Sequence, residues 1–104
     1  MKNVTTLKAL ADEKRLKILQ LLSESQYCVC ALSNITGLSQ SAVSQHLKIL
    51  REAKLVIGEK RGYYTHYVIQ TPLLEEVGRS LIDFAKRIET KKCEVECPEK
   101  KDNE

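Results

Sequence analysis

The sequence predicts a mainly α-helical domain with a small β-hairpin, arranged as a winged helix-turn-helix that dimerises through terminal helices. Three observations lead there. Two apolar-periodic segments are joined across the turn signal "TGLS" at Thr36–Ser39. A stretch rich in β-branched and aromatic residues, "LVIGEKRGYYTHYVI", follows at once. Beyond it runs an amphipathic segment whose apolar spacing suits packing against another long helix.

Taken in order, a short first helix is expected near Val4–Ala11, with Leu7 and Leu10 on one side. Asp12 can cap a second helix whose apolar positions are Leu16, Leu19 and Leu22, with Ile18 flanking. "CALSNIT" reads as a third, short helix, with Gly37 as its stop. Ser39 can cap a fourth helix running to about Ala53, with Val43, Leu47 and Leu50 at i, i+4 and i+7. Leu55–Ile57 and Tyr64–Ile69 read as the hairpin strands, Gly58 and Gly62 bracketing a charged tip. Thr71 is expected to cap the last helix, with Pro72 at its first position. Leu74, Val77, Leu81, Phe84 and Ile88 then form a stripe spaced 3, 4, 3, 4, a heptad seam. Residues 1–90 therefore form one DNA-binding and dimerisation domain, and residues 91–104 a charged tail carrying Cys93 and Cys97.

With 104 residues and 42% apolar content the chain builds a single small core, so association with a second copy would help it. The net charge of +3 is weak evidence for a polyanion partner, because 14 acidic residues nearly balance 17 basic ones. Placement matters more than the sum. No apolar run approaches the roughly 20 residues that span a bilayer. The charged N-terminal stretch "MKNVTTLKALADEKRLK" lacks a secretory apolar segment, so a cytoplasmic protein with no membrane partner is expected.

In a winged helix-turn-helix the second helix of the pair enters the major groove. Here the pair is Cys30–Ile35 and Ser39–Ala53. The solvent face of the second carries Gln40, Ser41, Ser44, Gln45 and Lys48, at offsets that keep them on one side. Gln can make paired hydrogen bonds to adenine, and Ser can bond a base edge or a phosphate. Lys48 and Arg51 are placed to neutralise phosphates, and Lys60 and Arg61 at the hairpin tip could reach a backbone or minor groove. His46, beside Leu47, is expected to pack and satisfy one hydrogen bond. No Gly-rich phosphate loop, paired carboxylates or Ser/His/Asp set can be placed, so an enzyme is not expected.

The segments "LKALADEKRLKILQLL", "CVCALSNITGLSQSAVSQHLKILREAKLV" and "GYYTHYVI" together resemble the ArsR/SmtB family of winged-helix, metal-responsive repressors, in its arsenic-sensing branch. The resemblance spans about Leu7 to Ile88. It implies a cytosolic homodimer that binds an inverted-repeat operator in double-stranded DNA, represses efflux or detoxification genes, and leaves the DNA when a metal ion binds. By motif position Cys28 and Cys30 match the family's Cys-Val-Cys ligands. Ser33 stands where a common arsenic-sensing version has a third Cys, and Ala31 stands where an acidic residue is usual. Zinc-type members place His and carboxylate ligands on the last helix, and "LEEVGRSLIDFAKRIE" contains no His.

Cys93 and Cys97 share one face, about 6 Å apart, if the last helix continues that far. Cys28 and Cys30 differ, because i and i+2 side chains of a helix point nearly apart. They can grip one ion only if the helix start unwinds or if they sit at its irregular first turn. Soft thiolates select As(III), Sb(III), Cd(II), Pb(II), Hg(II) or Zn(II). As(III) or Sb(III) wants three sulfurs; tetrahedral Cd(II) or Zn(II) prefers four, and Cd(II) or Pb(II) rank second. One or both of Cys93 and Cys97, from either subunit, can complete the set. Two other readings are a redox or persulfide sensor that forms a disulfide between the pairs, and cysteines as small apolar fillers.

Overall fold

The computed structural model describes residues 3–88 and 94–95. The elements run α1 (Val4–Leu10), α2 (Glu13–Leu22), α3 (Val29–Thr36), α4 (Gln40–Glu52), β1 (Val56–Arg61), β2 (Tyr64–Ile69) and α5 (Thr71–Lys86). This is the predicted set, in the predicted order.

The core lies between α2, α3, α4 and the hairpin. Ile18, Leu32, Val43, Leu47, Leu50, Leu55 and Val56 are fully buried there. Each contributes about 1.5–3 kcal/mol relative to exposure. Two of the expected helix faces are rotated. On α1 the buried positions are Thr6 and Ala9, while Leu7 and Leu10 are half-buried. On α2 the buried set is Ile18, Leu19, Leu21 and Leu22. Leu16 instead remains 43% exposed and lines an open groove with Ile35 and Leu38. A 10-residue helix packed against α1, α3, α4 and β2 buries more than one stripe, which a single-face reading misses.

Caps fix the ends of α2 and α4. The Asp12 carboxylate accepts from the amides of Lys14 and Arg15, both at 3.0 Å. The Arg15 amide above all holds this carboxyl below its usual range; desolvation opposes it, and the Arg15 charge, His46 and the Lys14 amide add to the lowering. A depressed carboxylate pKa contributes stability that is fully present above the unfolded-state value and lost as pH falls through the folded one. Asn caps about as well as Asp but does not titrate. Asp12→Asn is therefore expected to flatten the acid limb of the stability curve, measured by urea unfolding from neutral into acid pH.

Ser39 Oγ accepts from the Ala42 amide at 3.0 Å and caps α4. Gly37 ends α3 in the left-handed region, at φ 78°, where a Cβ would be strained. The far end of α4 closes on a residue the sequence did not flag. Lys54 takes φ 65°, while the Leu55 amide reaches back to Leu50 O and the Lys54 amide to Arg51 O. This is a Schellman closure made without glycine. The left-handed conformation costs about 1–2 kcal/mol for a residue with a Cβ, offset here by complete burial of Leu55 against the core.

The hairpin differs from the expected one at its tip. Its antiparallel register runs from Val56↔Ile69 to Arg61↔Tyr64, leaving a two-residue turn of Gly62 and Tyr63. Lys60 and Arg61 are therefore the last rungs of β1, not the tip. Successive strand residues face opposite sides, so the two cations diverge. Tyr63, 88% exposed, occupies the tip and meets Tyr64 edge-on, ring centroids 5.2 Å apart.

Helix α5 begins one residue earlier than expected, at Thr71 itself. Gln70 is the N-cap and bonds no first-turn amide through its side chain, so Thr71 is the first helical residue and Pro72 the second. Val77 is buried, and Leu73 and Leu74 pack against the core. The Asn3 side-chain amide donates to Ser80 Oγ at 3.2 Å, tying the start of α1 to α5. Farther on, Leu81, Ile82, Phe84 and Ile88 are 43–67% exposed. Three of the five seam residues, Leu81, Phe84 and Ile88, thus stay open to solvent among the described residues.

Candidate nucleic-acid interface and thiol site

Helix α4 is the second helix of the pair, and its outer face is polar. Gln40, Ser41, Ser44, Gln45, Lys48 and Arg51 are all exposed, while Val43, Leu47 and Leu50 fill the core. Lys48 Nζ lies 3.9 Å from Glu52, an exposed i,i+4 contact worth at most about 0.5 kcal/mol. It leaves the ammonium free to take a phosphate. Arg61 Nη2 is held 2.6 Å from Glu59 Oε1 along one side of β1. Lys60 shares the other side with Gly58 and faces Thr65 across the ladder.

His46 departs from its expected role. It packs in α4, but its Nδ1 is buried without a hydrogen-bond partner.

The turn between α3 and α4 is tied by side chains. Ser33 Oγ donates to Leu38 O at 2.6 Å, Thr36 Oγ1 donates to Leu32 O at 2.7 Å, and the Leu38 amide donates to Thr36 Oγ1 at 3.2 Å. Ser33 is thus a staple of the turn. Leu32, fully buried, fixes the inner face of α3 in the same core as Val43 and Leu47. Packed side chains thus join α3 to α4, and the three bonds tie the end of α3 to the turn that leads into it.

Cys28 and Cys30 lie at the opposite end of α3. Cys28 is its N-cap, with extended backbone (φ −91°, ψ 173°), and no side chain accepts from the first-turn amides. Cys30 is the second helical residue. Both are free thiols, Cys28 half-buried and Cys30 exposed. Of the two geometries the spacing allowed, this is the irregular helix start. Because Cys28 stands outside the helix, its side chain is not bound by the 100° wheel that separates i from i+2. A missing N-cap forgoes about 1 kcal/mol, so the turn carrying the thiols is the weakly held end of α3. Cys93 and Cys97 lie outside the described residues. Among the described residues no three His, Cys, Asp or Glu side chains stand ready to hold an ion, and no helix is long and apolar enough to cross a membrane.

One feature was not legible from spacing. Cys28 forms an isolated antiparallel bridge with His66 of β2, flanked by the Tyr67 amide donating to Tyr27 O at 3.1 Å. The two residues are 38 apart in the chain, and only the folded path of the segment before α3 brings them together.

Comparison with known proteins follows the same lines. Residues 12–57, from the α2 cap to the start of β1, match the family described as "Bacterial regulatory protein, arsR family". The chain is 40% identical over 89 residues to the "Arsenical resistance operon repressor" of Escherichia coli K12, covering 85% of this chain and 75% of that protein. It is 41% identical over 91 residues to the repressor of the same description from Bacillus subtilis 168, covering 86% and 84%. Among solved structures, the homodimeric winged helix-turn-helix DNA-binding domain of Mb0332 from Mycobacterium bovis, a possible ArsR-family regulator, superposes with a TM-score of 0.67. Its identity is 25%, over 88% of this chain and 86% of that one. A capped, polar-faced second helix, a tied turn and a hairpin wing, in a chain so similar to these repressors over most of its length, make this protein a member of the ArsR family of DNA-binding transcriptional regulators and not an enzyme.

Proposed function

We propose that the chain is a thiol-based repressor that binds an inverted-repeat operator as a homodimer and releases it when As(III) or Sb(III) is taken up by its cysteines. The observation that carries this reading is the placement of Cys28 and Cys30 at the uncapped first turn of α3, the helix that shares its core with α4 through Leu32 and whose far end Ser33 ties to the turn leading into α4. Holding one ion draws both thiols together. The turn that must deform is the weak one, and the strain runs along α3 into the presented face of α4.

Gln40, Ser41, Ser44 and Gln45 are the proposed base-reading and positioning residues. Lys48 and Arg51 are the phosphate contacts, with Lys60 and Arg61 acting at the wing. The divergence of Lys60 and Arg61 makes it the role of one of them, not both, to touch a given backbone strand. A third sulfur for As(III) is assigned to Cys93 or Cys97. Two thiols alone would struggle to shift a 1:99 equilibrium to 99:1, which takes about 5.5 kcal/mol. The proposed partner copy covers the exposed half of α5, consistent with the homodimer of the Mycobacterium bovis relative. Cd(II), Pb(II) and Zn(II) are the secondary ions of the same thiols.

The test uses an operator selected from random duplexes by the reduced protein. Fluorescence anisotropy is expected to show tight binding that As(III) reverses; binding that As(III) leaves untouched contradicts the reading. Lys48→Ala is expected to weaken binding evenly across sequences and to reduce the salt dependence by about one phosphate contact. An unchanged slope removes Lys48 from the phosphate set.

A further inference from the structure

The bridge between Cys28 and His66 places an imidazole beside the thiol site. In an antiparallel ladder, directly opposed residues project to the same face. The Tyr67-to-Tyr27 bond beside them makes Cys28 and His66 a pair that exchanges no bond of its own, the closer of the two kinds, with Cα atoms about 4.5 Å apart. On its other side His66 pairs with Glu59, so β2 runs between β1 and the segment leading into α3. The Nδ1 of His66 is buried and has no hydrogen-bond partner. A buried, unpartnered ring nitrogen in a native fold asks for an explanation, and a role as a donor to a bound ion is one.

The geometry points to His66 Nδ1 as a third protein donor that, with Cys28 Sγ and Cys30 Sγ, forms a site for a zinc-class divalent cation between α3 and the wing. Two thiolates and one imidazole are a donor set for Zn(II), Co(II) or Cd(II), whereas As(III) selects sulfur alone. The three groups are not assembled as they lie. Cys28 and His66 already oppose each other across the bridge. Cys30, on the first turn of α3, is the donor that has to swing in, and that turn has no side-chain cap to resist it. A fourth position is left to water. Closure at this site would join α3 to β2, so it would act on the wing and on the α4 support together. The inference rests on the proposed reading only in taking Cys28 and Cys30 as ligands.

The test is anaerobic titration of the reduced full-length protein with Co(II), whose tetrahedral thiolate complexes show visible ligand-field bands and a near-ultraviolet sulfur-to-cobalt band. Wild type and the Cys93→Ser/Cys97→Ser variant are expected to show both. His66→Gln is expected to lose about a hundredfold in affinity, since even outer-shell partners of a metal ligand are worth about 10–100-fold. His66→Cys guards against a merely structural effect. It converts the set to three sulfurs and is expected to bind As(III) as a trithiolate without Cys93 and Cys97. Co(II) spectra and affinity equal in wild type and His66→Gln would overturn the proposal, as would wild type that binds no Co(II). As(III)-driven operator release that persists in either case leaves the repressor reading intact; loss of that release from wild type strikes the repressor reading itself.

Discussion

Cys28→Ser is expected to leave operator affinity where it is and to remove release by As(III). The side chain lies at the start of α3, away from the exposed face of α4, so no proposed DNA contact is lost. Two effects then act in one direction. The variant lacks a thiolate that the ion requires. Ser is also a good N-cap where Cys is none, so it can accept from a first-turn amide and tighten the turn that has to deform, by about 1 kcal/mol. If full induction spans 1:99 to 99:1, the ratio of free to bound operator with and without As(III) collapses by up to about 10⁴. Anisotropy of labelled operator, read with and without As(III) under reducing conditions, measures it. Release that survives the substitution shows that the ion acts elsewhere.

Leu81→Glu with Phe84→Glu is expected to split the dimer and to take operator binding with it. Both side chains lie on the outward half of α5, at 43% and 55% exposure. Each apolar side chain buried in an interface contributes about 1.5–3 kcal/mol, and a two-fold interface counts every substitution twice. Two carboxylates per protomer also set like charges against one another. A monomer engages one half-site only, forfeiting an avidity of about 10²–10⁴. Sedimentation gives the mass and anisotropy the affinity. The fold should survive, because Val77, not Leu81 or Phe84, carries α5 in the core. A double variant that remains dimeric and binds as before would place the interface on another face.

How far the sequence leads can be seen at particular residues. Val43, Leu47 and Leu50, Asp12 and Ser39 as caps, and Gly37 as a stop were all legible, because each is a local signal that tertiary context reinforces. Leu16 was misplaced because amphipathic periodicity names one stripe, and α2 packs on several neighbours. The wing tip was misread because Gly58 looked like turn punctuation. It lies within β1, where an added Cβ would come within 2.9 Å of the Thr65 methyl and 3.3 Å of the Tyr67 ring, so its lack of a side chain makes room for its neighbours. Lys54 could not be foreseen as a left-handed closure, since glycine is the expected residue there. In the thiol site, Cys28 and Cys30 were visible as a pair, but their status as N-cap and second helical residue was not. His66 carried no signal, because its relation to Cys28 exists only in the register of one isolated bridge.

The central claim is that filling the thiol site at α3 and leaving the operator are one event. It is tested most directly by titrating the reduced protein–operator complex with As(III) in a single cuvette, following thiolate-to-arsenic absorption and operator anisotropy together. The expected result is two traces that rise and fall with the same midpoint. Absorption that saturates while the labelled duplex stays bound would contradict the claim.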